Sequence, residues 1–562
     1  MSDKEKMLLV ADADRIQDYL FESVNLKEIM GASLLINRFN KIAEKTLKAA
    51  NDQVIYSAGG VVRLMVEGKE EARQAAGVIE NIYQSLTKTG TISFSRAIPL
   101  GADFSKANLE VERSLRENKD RGGSPVLGKN EGRSPAMLLS WPYLAHCTAC
   151  GLRPANTTEW VRYSLTEIKS ESLCTTCQAK REAYRQAKRR KEKKKEGQQK
   201  NLTLFYPELN QYLNEIHHRE DIDLENPEDF GEVGSRSQPS GYVGFIVADG
   251  NRMGQKLGKC RSPEEYHDLS QKIIDTTNQA LSKAITLTFD LNHPQTLQKY
   301  EKEGEYLPLQ VLVMGGDDLV IVTTADTALP LASLFCRLYS EISPDLSISA
   351  GVVLAKENLP FLISHELAHA LLKSAKKSNY TPGKIESGGL DFQVITASNA
   401  LQLEDTRQEM TYFNPSHANP DSAERLVFTA RPYVATAGPK RVTLQDLLQT
   451  VAQLKKAEMP RSQLANLYEL LNPTYAAGSS TEFDKACQHL DREYYRLVNR
   501  LSVKNTWHKL EELGECLGQR SDGHLYIELP NLTPLERRVL VADAIEVYEF
   551  VPVEWAEDIR WK

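Results

Sequence analysis

The residues with the clearest chemical potential form a short acidic turn, Gly315-Gly316-Asp317-Asp318, between the apolar runs VLVM and LVIV. Such runs are typical of two paired strands, so we expect the acids at the tip of a hairpin. Asp249 ends an earlier strand-like run, YVGFIVAD, which would lie beside that hairpin in the same sheet. Three carboxylates brought together repel one another unless a cation neutralises them, and hard oxygen ligands favour Mg²⁺ or Mn²⁺. Two such ions would serve displacement on a nucleoside triphosphate, and glycines allow phosphates close to the backbone. The alternative is a solvated hairpin turn, in which Gly and Asp are common.

Four of the eight cysteines form a second candidate site, with the spacing Cys147-x-x-Cys150 and Cys174-x-x-Cys177. Two such pairs supply the four thiolates of a tetrahedral structural zinc site. The intervening length is slightly above the usual range for a zinc ribbon, and four free thiols are the alternative. The spacing predicts that zinc holds a small insertion without a large core of its own.

A third pattern, His365-Glu366-Leu367-Ala368-His369, matches the HExxH motif of zinc peptidases. No third histidine follows at a metal-binding spacing, and Glu386 is only a weak candidate for a third ligand. We favour a packing helix here and keep a zinc peptidase as a distant alternative.

Lysines follow the HExxH motif at the end of its helix and in the loop beyond. Lys376, Lys377 and Lys384 are placed where they could approach nucleotide phosphates, and we take Lys376 and Lys384 as candidate nucleotide-binding residues. The alternative is an ordinary solvated helix end and loop.

Two segments with the same order of elements would position these residues. The first runs from a strand ending at Asp12, through a long helical stretch, to two strand-like runs around Gly59-Gly60. The second begins near Tyr242 and reaches its own pair of runs at the acidic turn. A helix and another strand follow in each segment, which gives the β-α-β-β-α-β order of a ferredoxin-like fold, with one sheet face covered by helices and the other free. Two unrelated α/β pieces are the alternative.

The first copy has lost the acids, because its hairpin reads Gly59-Gly60-Val61-Val62. Valine cannot bind a hard cation, so the first copy is predicted to keep the shape of the second without its metal site. We therefore predict an α+β protein with a degenerate first unit and an acid-bearing second unit.

Composition excludes several classes of protein. The chain has 562 residues with 41% hydrophobic and 26% charged residues, which is ordinary for a folded protein and excludes a largely disordered or collagen-like chain. No targeting segment or membrane span is apparent, so a cytoplasmic location is expected. The formal net charge is −7, yet the segment 178–200 carries 11 Lys or Arg against three Glu. This segment would be charged on every side of a helix, and it either contacts RNA phosphates or forms a solvated arm.

Taken together, VADADRIQDYLFESVNLKEIMGAS (10–33), VADGNRMGQKLG (247–258) and MGGDDLVIV (314–322) resemble the large polymerase-cyclase subunit of type III CRISPR effector complexes. The resemblance extends over most of the chain to about residue 395. It implies two palm domains related to nucleotidyl cyclases and polymerases, with a zinc loop between them and a helical last domain.

In that family the GGDD palm converts ATP to cyclic oligoadenylate when the complex binds target RNA. The resemblance implies that Asp249, Asp317 and Asp318 hold the metals, while Gly315 and Gly316 line the phosphates. Many members begin with a His-Asp nuclease domain, but here the first palm strand starts close to the first residue, so we expect no such domain and no DNA cleavage by it.

Four regions are expected: a degenerate palm (1–138), a zinc-binding and basic insertion with a linker (139–240), a catalytic-type palm with GGDD (241–397) and a helical C-terminal domain (398–562). The expected function is an RNA-activated nucleotidyltransferase of CRISPR antiviral defence. It would make cyclic oligoadenylate from ATP by a two-metal mechanism, with guide RNA, target RNA and other effector subunits as partners. The main alternative is a non-catalytic scaffold subunit of the same ribonucleoprotein.

Overall fold

The structure is a computed structural model. It describes residues 5–23, 25–50, 52–101, 103–120, 145–162, 168–195, 207–219, 222, 224, 226–227, 229–302, 305–378, 388–396, 403–413, 425–436, 442–471, 479–515, 519–520, 527–529, 536–538, 540–557 and 561.

The first unit is an antiparallel sheet whose strand order is β2-β3-β1-β4, with β5 also paired to β1. This is the strand order of a β-α-β-β-α-β unit. Its strands are β1 (Lys6–Ala13), β2 (Gln53–Ala58), β3 (Val61–Glu67), β4 (Ile92–Phe94) and β5 (Ile98–Pro99). Its helices are α1 (Ile16–Phe21), α2 (Leu26–Ala49), α3 (Lys69–Thr87) and α4 (Phe104–Asp120).

The insertion contributes a short hairpin and three helices. Its elements are β6 (Thr157–Arg162), β7 (Ile168–Leu173), α5 (Thr175–Lys195), α6 (Pro207–Ile216) and α7 (Phe230–Ser235). The helix α5 begins one residue after β7 ends, beyond Cys174, and packs along α2 of the first unit.

The second unit repeats the first and extends it. Its strands run in the order β9-β10-β8-β11, followed by β12 in parallel to β11 and then β15. These strands are β8 (Tyr242–Gly250), β9 (Leu309–Gly315), β10 (Asp318–Thr324), β11 (Ile348–Lys356), β12 (Gly389–Val394) and β15 (Tyr433–Val434). The helices are α8 (Met253–Leu257), α9 (Pro263–Thr288), α10 (Pro294–Tyr300), α11 (Ala325–Ile342) and α12 (Phe361–Ser378).

Neither sheet leaves a free face, which corrects one expectation from the sequence. In β1, Leu9 packs with the core under α2 and α3, while Leu8 and Val10 pack with α4 on the opposite face. Both faces of the strand are therefore buried, and this explains why it reads as a continuous apolar run.

Each unit also places its short first helix against the sheet of the other. Phe21 of α1 lies with its ring centroid 4.8 Å from that of Phe361, beside Phe245 of the second sheet. In return, Leu257 of α8 and Tyr266 of α9 pack against the outer face of the first sheet. The two units therefore exchange their short first helices, each of which packs on the sheet of the other unit.

The C-terminal region, predicted to be helical over residues 398–562, also contains short strands. Three-residue and two-residue strands form a separate sheet in the order β13-β14-β18-β17-β16, and β15 joins the second palm. Strands this short show no alternating pattern that a sequence could reveal. The strands of the separate sheet are β13 (Thr411–Phe413), β14 (Arg425–Val427), β16 (Gln519–Arg520), β17 (Ile527–Leu529) and β18 (Glu536–Arg538).

The helices of this region are α13 (Leu403–Glu409), α14 (Leu444–Lys456), α15 (Arg461–Leu471), α16 (Ser480–Val498), α17 (Lys504–Glu515) and α18 (Val541–Val547), with 3₁₀ turns at Tyr548–Phe550 and Val553–Ala556. A buried ion pair between Arg431 and Asp543 (3.0 Å) joins α18 to the segment that precedes β15. Among all helices of the described residues, none combines the length and apolarity needed to cross a membrane.

Candidate functional site

The sheet of the second unit brings the three predicted carboxylates to one edge. Leu319 pairs with Ala248 across the antiparallel strands β10 and β8, so Asp318 and Asp249, one position further on, lie next to each other. Asp317 Oδ2 lies so close to Gly250 that a Cβ atom at this glycine would be 2.5 Å from it. Gly250 was missed by the sequence reasoning, although its position directly after Asp249 was a signal.

The acids are held in an environment that opposes their ionisation. Desolvation by the surrounding protein raises the pKa of both Asp317 and Asp318, and the neighbouring carboxylate of Asp249 raises the pKa of each further. Asp318 also faces an open cleft. Hard oxygen donors that repel one another at the mouth of a cleft are a suitable set for Mg²⁺ or Mn²⁺.

Lys376, one of the predicted nucleotide-binding residues, contacts the acidic cluster. Its ammonium group, at the end of α12, donates to Asp249 Oδ2 and to the carbonyl oxygen of Gly250 (3.0 Å). The oxygens of the three aspartates do not all lie within 4.8 Å of one another in this arrangement. The second predicted lysine, Lys384, and the weak zinc-ligand candidate Glu386 lie outside the described residues.

The glycine pair of the turn has two different physical roles. Gly316 has a φ of +69°, and its carbonyl oxygen accepts a hydrogen bond from Thr277 Oγ1 of α9 (2.9 Å). Gly315 instead allows a close approach, because a Cβ atom there would lie 3.0 Å from the Cα atom of Gly59. The Gly-Gly turns of the two units therefore meet, and Tyr56 of the first unit lies over Gly316.

Two clefts flank the contact between the turns. One has a volume of about 300 Å³ and is lined from both units, by residues that include Arg15, Ser33, Asn37, Met314, Asp318 and His369. The other has a volume of about 480 Å³ and extends to the insertion, with a lining that includes Arg38, Lys41, Gln186, Gln271, Thr277 and Gly316. Both volumes lie in the range of small-molecule sites.

The first unit retains part of this site. Asp12 occupies the strand end that corresponds to Asp249, and Lys119 at the end of α4 binds it (2.6 Å) as Lys376 binds Asp249. No acids stand on its hairpin, as predicted. The matching stretches VADADR and VADGNR were the sequence signal for this equivalence, but nothing in the sequence marked Lys119.

The four predicted cysteines converge. Their sulfur atoms all lie within 4.8 Å of one another, and three of the four side chains are buried. The backbone NH of Cys177 donates to Cys174 Sγ (3.4 Å), and the NH of Gly151 donates to the Cys147 carbonyl (2.8 Å). Four clustered thiols with this chemistry fit a tetrahedral zinc ion.

The HExxH motif has a packing role in this structure. The ring of His365 lies among aromatic side chains, 4.3 Å between centroids from Phe21, and its Nε2 is 3.1 Å from Nε2 of His369. Burial lowers the pKa of His365 to about 3. Glu366 is exposed, and the described residues bring no third metal-binding side chain to the pair. This geometry gives no support to a zinc peptidase.

The basic segment is partly buried, which corrects the expectation that it is charged on every side of its helix and cannot pack against a core. Lys180 is buried against Glu22 (2.6 Å), and Arg181 is buried against Glu28 and Glu171. Arg153 of the insertion also contacts Glu22 (2.8 Å). The first turns of α5 therefore attach the insertion to the first unit. The side chains of residues 189–200 lie outside the described part.

Comparison with known proteins identifies the second unit. Residues 242–384 match the family model of Cas10/Cmr2, second palm domain. The fold is similar to the Csm1-Csm4 cassette in complex with cA3 (TM-score 0.52, 14% identity, 99% of this chain and 70% of that chain). It is also similar to the apo cassette (0.53, 14%, 99% and 70%) and to the cassette with cA4 (0.51, 13%, 98% and 70%). No curated protein matches the chain. Over residues 242–384, the family resemblance drawn from the motifs is confirmed.

Proposed function

We propose that this chain, whose second palm is of the Cas10/Cmr2 family, is an RNA-activated nucleotidyltransferase that converts ATP to cyclic oligoadenylate. The observation that carries the proposal is the convergence of Asp249, Asp317 and Asp318 beside a cleft shared by the two palms. The similar Csm1-Csm4 structures with cA3 and cA4 support the same assignment at the level of the fold.

The three aspartates would hold two Mg²⁺ or Mn²⁺ ions. When bound, such ions neutralise the triphosphate and activate the attacking 3′-hydroxyl. The protein positions the acids from three sides: the strand pairing fixes Asp249, Thr277 fixes the turn, and Gly59 of the first palm meets it. Gly315 and Gly316 would lie along the phosphates.

Lys376 would act as a mobile cation in this site. Its ammonium neutralises part of the acidic cluster, and it lies within the same group of side chains that would receive metal and triphosphate. Binding of divalent ions at Asp249 would release the Lys376 ammonium. The released ammonium would then pair with the negative charge that develops on the phosphates. Lys384 is proposed as a second contact on the strength of the sequence alone.

The cysteine cluster would hold structural Zn²⁺. The ion would fix the start of α5, whose buried Lys180 and Arg181 attach the insertion to α1 and α2. Zinc would thereby stabilise the wall of the larger cleft, to which α5 contributes Gln186.

Partners are proposed from the same family. Other type III effector subunits, with Csm4 as the partner in the similar structures, would bind the chain, and guide and target RNA would regulate it. The basic residues that follow Lys188 would contact RNA phosphates, a contribution that falls steeply with salt concentration.

The test is incubation of the assembled complex with ATP, Mg²⁺ and matching target RNA, followed by mass spectrometry of the products. Cyclic oligoadenylate is expected only with target RNA, and it should be lost in the double variant Asp317→Ala and Asp318→Ala. Product that survives the double variant would refute the site, whereas no product from the wild-type complex would favour a non-catalytic scaffold.

A further inference from the structure

The cleft beside the acidic turn contains a basic residue from the other palm. Arg15 lines this cleft together with Gly315 and Asp318, although it belongs to the first unit. It is the only Lys or Arg among the described residues that line this cleft. The degenerate palm thus supplies a positive charge to the palm that carries the acids.

The backbone at Arg15 is held in an uncommon conformation. Its φ and ψ are 46° and 48°, in the left-handed region, at the point where β1 passes into α1. A non-glycine residue in this region costs about 1 kcal/mol or more and persists where the surrounding structure enforces it. The packing of Tyr19, Leu20 and Phe21 in the shared core enforces it here.

The guanidinium of Arg15 has no protein partner among the described residues. Asp18 also lines the cleft, but no ion pair joins it to Arg15. The cation that neutralises the acidic cluster is Lys376, which pairs with Asp249. Arg15 is therefore available to an anion that enters the cleft.

The second palm has an arginine with the same backbone conformation at the equivalent position. Arg252 also has a left-handed backbone (φ 55°) at the start of α8, three residues after Asp249, as Arg15 lies three residues after Asp12. Arg252 lines neither of the two clefts described above. Because the short helices are exchanged between the units, Arg15 lies across from the turn with acids, and Arg252 belongs to the helix that packs on the unit without them.

We propose that Arg15 binds the phosphates of the nucleotide that the second palm holds, so that the degenerate palm of the same chain completes the site. This inference rests on the proposed function for the identity of the ligand. A guanidinium group is suited to the task, since it presents several donors to phosphate oxygens and stays charged at all relevant pH values.

The experiment is equilibrium binding of two ligands to the full chain in Mn²⁺: α,β-methylene-ATP, which cannot lose pyrophosphate, and adenosine. We expect Arg15→Ala to weaken binding of the triphosphate about tenfold or more and to leave adenosine unchanged, because a charged hydrogen bond to phosphate is lost. Arg15→Lys should recover part of the affinity. Arg15→Gly, which suits the left-handed backbone, should match the alanine variant and so separate charge from local folding.

The matched control is Arg252→Ala, which makes the same change at the same backbone conformation outside the cleft. It should bind both ligands as the wild type does. Unchanged triphosphate binding by Arg15→Ala, or equal weakening of adenosine, would overturn the inference. A failure of the proposed function is distinguishable, since a wild-type complex that makes no cyclic product while Arg15→Ala still weakens triphosphate binding would refute the reaction and not the contact.

Discussion

The close packing of α5 against α2 requires a glycine at position 31, and its replacement gives a sharp prediction. In α2, a Cβ atom at Gly31 would lie 2.5 Å from the carbonyl carbon of Lys180 in α5, and closer still to its oxygen. Both are backbone atoms, so the helices must separate in Gly31→Ala. Overpacking of this kind costs about 1–3 kcal/mol, and displacement of the buried Lys180 and Arg181 pairs would add to it.

Gly77→Ala is the matched control, because it makes the same change inside α3. Nothing lies within 4 Å of a Cβ atom at this position. Alanine is the better helix former by roughly 0.5–1 kcal/mol, so this variant should be more stable than the wild type. The two substitutions are therefore expected to have opposite signs.

The assay is hydrogen exchange of α5 and α2 amides, together with urea unfolding, for both variants and the wild type. Gly31→Ala should lower the protection of α5 by a factor of about 5 to 150, corresponding to the 1–3 kcal/mol above. Wild-type protection of α5 in Gly31→Ala would refute the α2–α5 packing. Equal destabilisation by Gly77→Ala would show that any substitution in these helices is harmful, and the specific clash would lose its support.

Three further predictions test the charges and the metal centre. Lys376→Gln removes the cation on Asp249, so Mn²⁺ should bind several-fold more tightly at pH 8, a change of roughly 1 kcal/mol in an equilibrium titration; weaker binding would contradict the arrangement. The folded chain keeps His365 neutral, with a pKa of about 3, so stability should fall as the pH drops below about 6.5, where the unfolded chain takes up the proton. The contribution of His365 to the slope is at most about 1.4 kcal/mol per pH unit, and His365→Gln should remove it in urea unfolding at pH 7.5, 6 and 5; an identical slope in the variant would refute it. Cys174→Ser should abolish stoichiometric zinc and expose α5 to exchange, and full zinc retention by metal analysis would refute the four-cysteine centre.

The sequence was sufficient for the four strands of each β-α-β-β-α-β unit and for the position of the three acids. The repeated β-α-β-β-α-β order followed from two segments that each read strand–helix–hairpin, with Gly59-Gly60 and Gly315-Gly316 at the turns. The position of Asp249 beside Asp317 and Asp318 followed in turn, because strand order fixes which strand ends are neighbours. In this part of the chain, the residue types and the strand order indicated the same acidic site.

The long-range ion pairs could not be predicted, for a physical reason. Lys180 and Arg181 stand in a run of charge, and such runs are normally solvated because burial of an unpaired charge is costly. Their partners Glu22 and Glu28 lie more than 150 positions earlier and carry no motif. The pairing of Lys119 with Asp12 could not be predicted either, because only the folded chain brings the end of α4 to Asp12.

The retained shape of the first palm has an explanation in the packing. The second sheet buries one face, through Phe245 and its neighbours, against Phe21 of the first palm, and the first sheet buries its outer face against Tyr266 of the second. Neither palm could lose its fold without exposing the apolar face of the other to water. The hairpin turn of the first unit carries no acids, its Gly59 meets the backbone of Gly315, and Lys119 pairs with the remaining Asp12. The two units can therefore differ in chemistry while their shapes stay matched, and a cleft lined from both sides is the place where an asymmetric pair can bind one nucleotide.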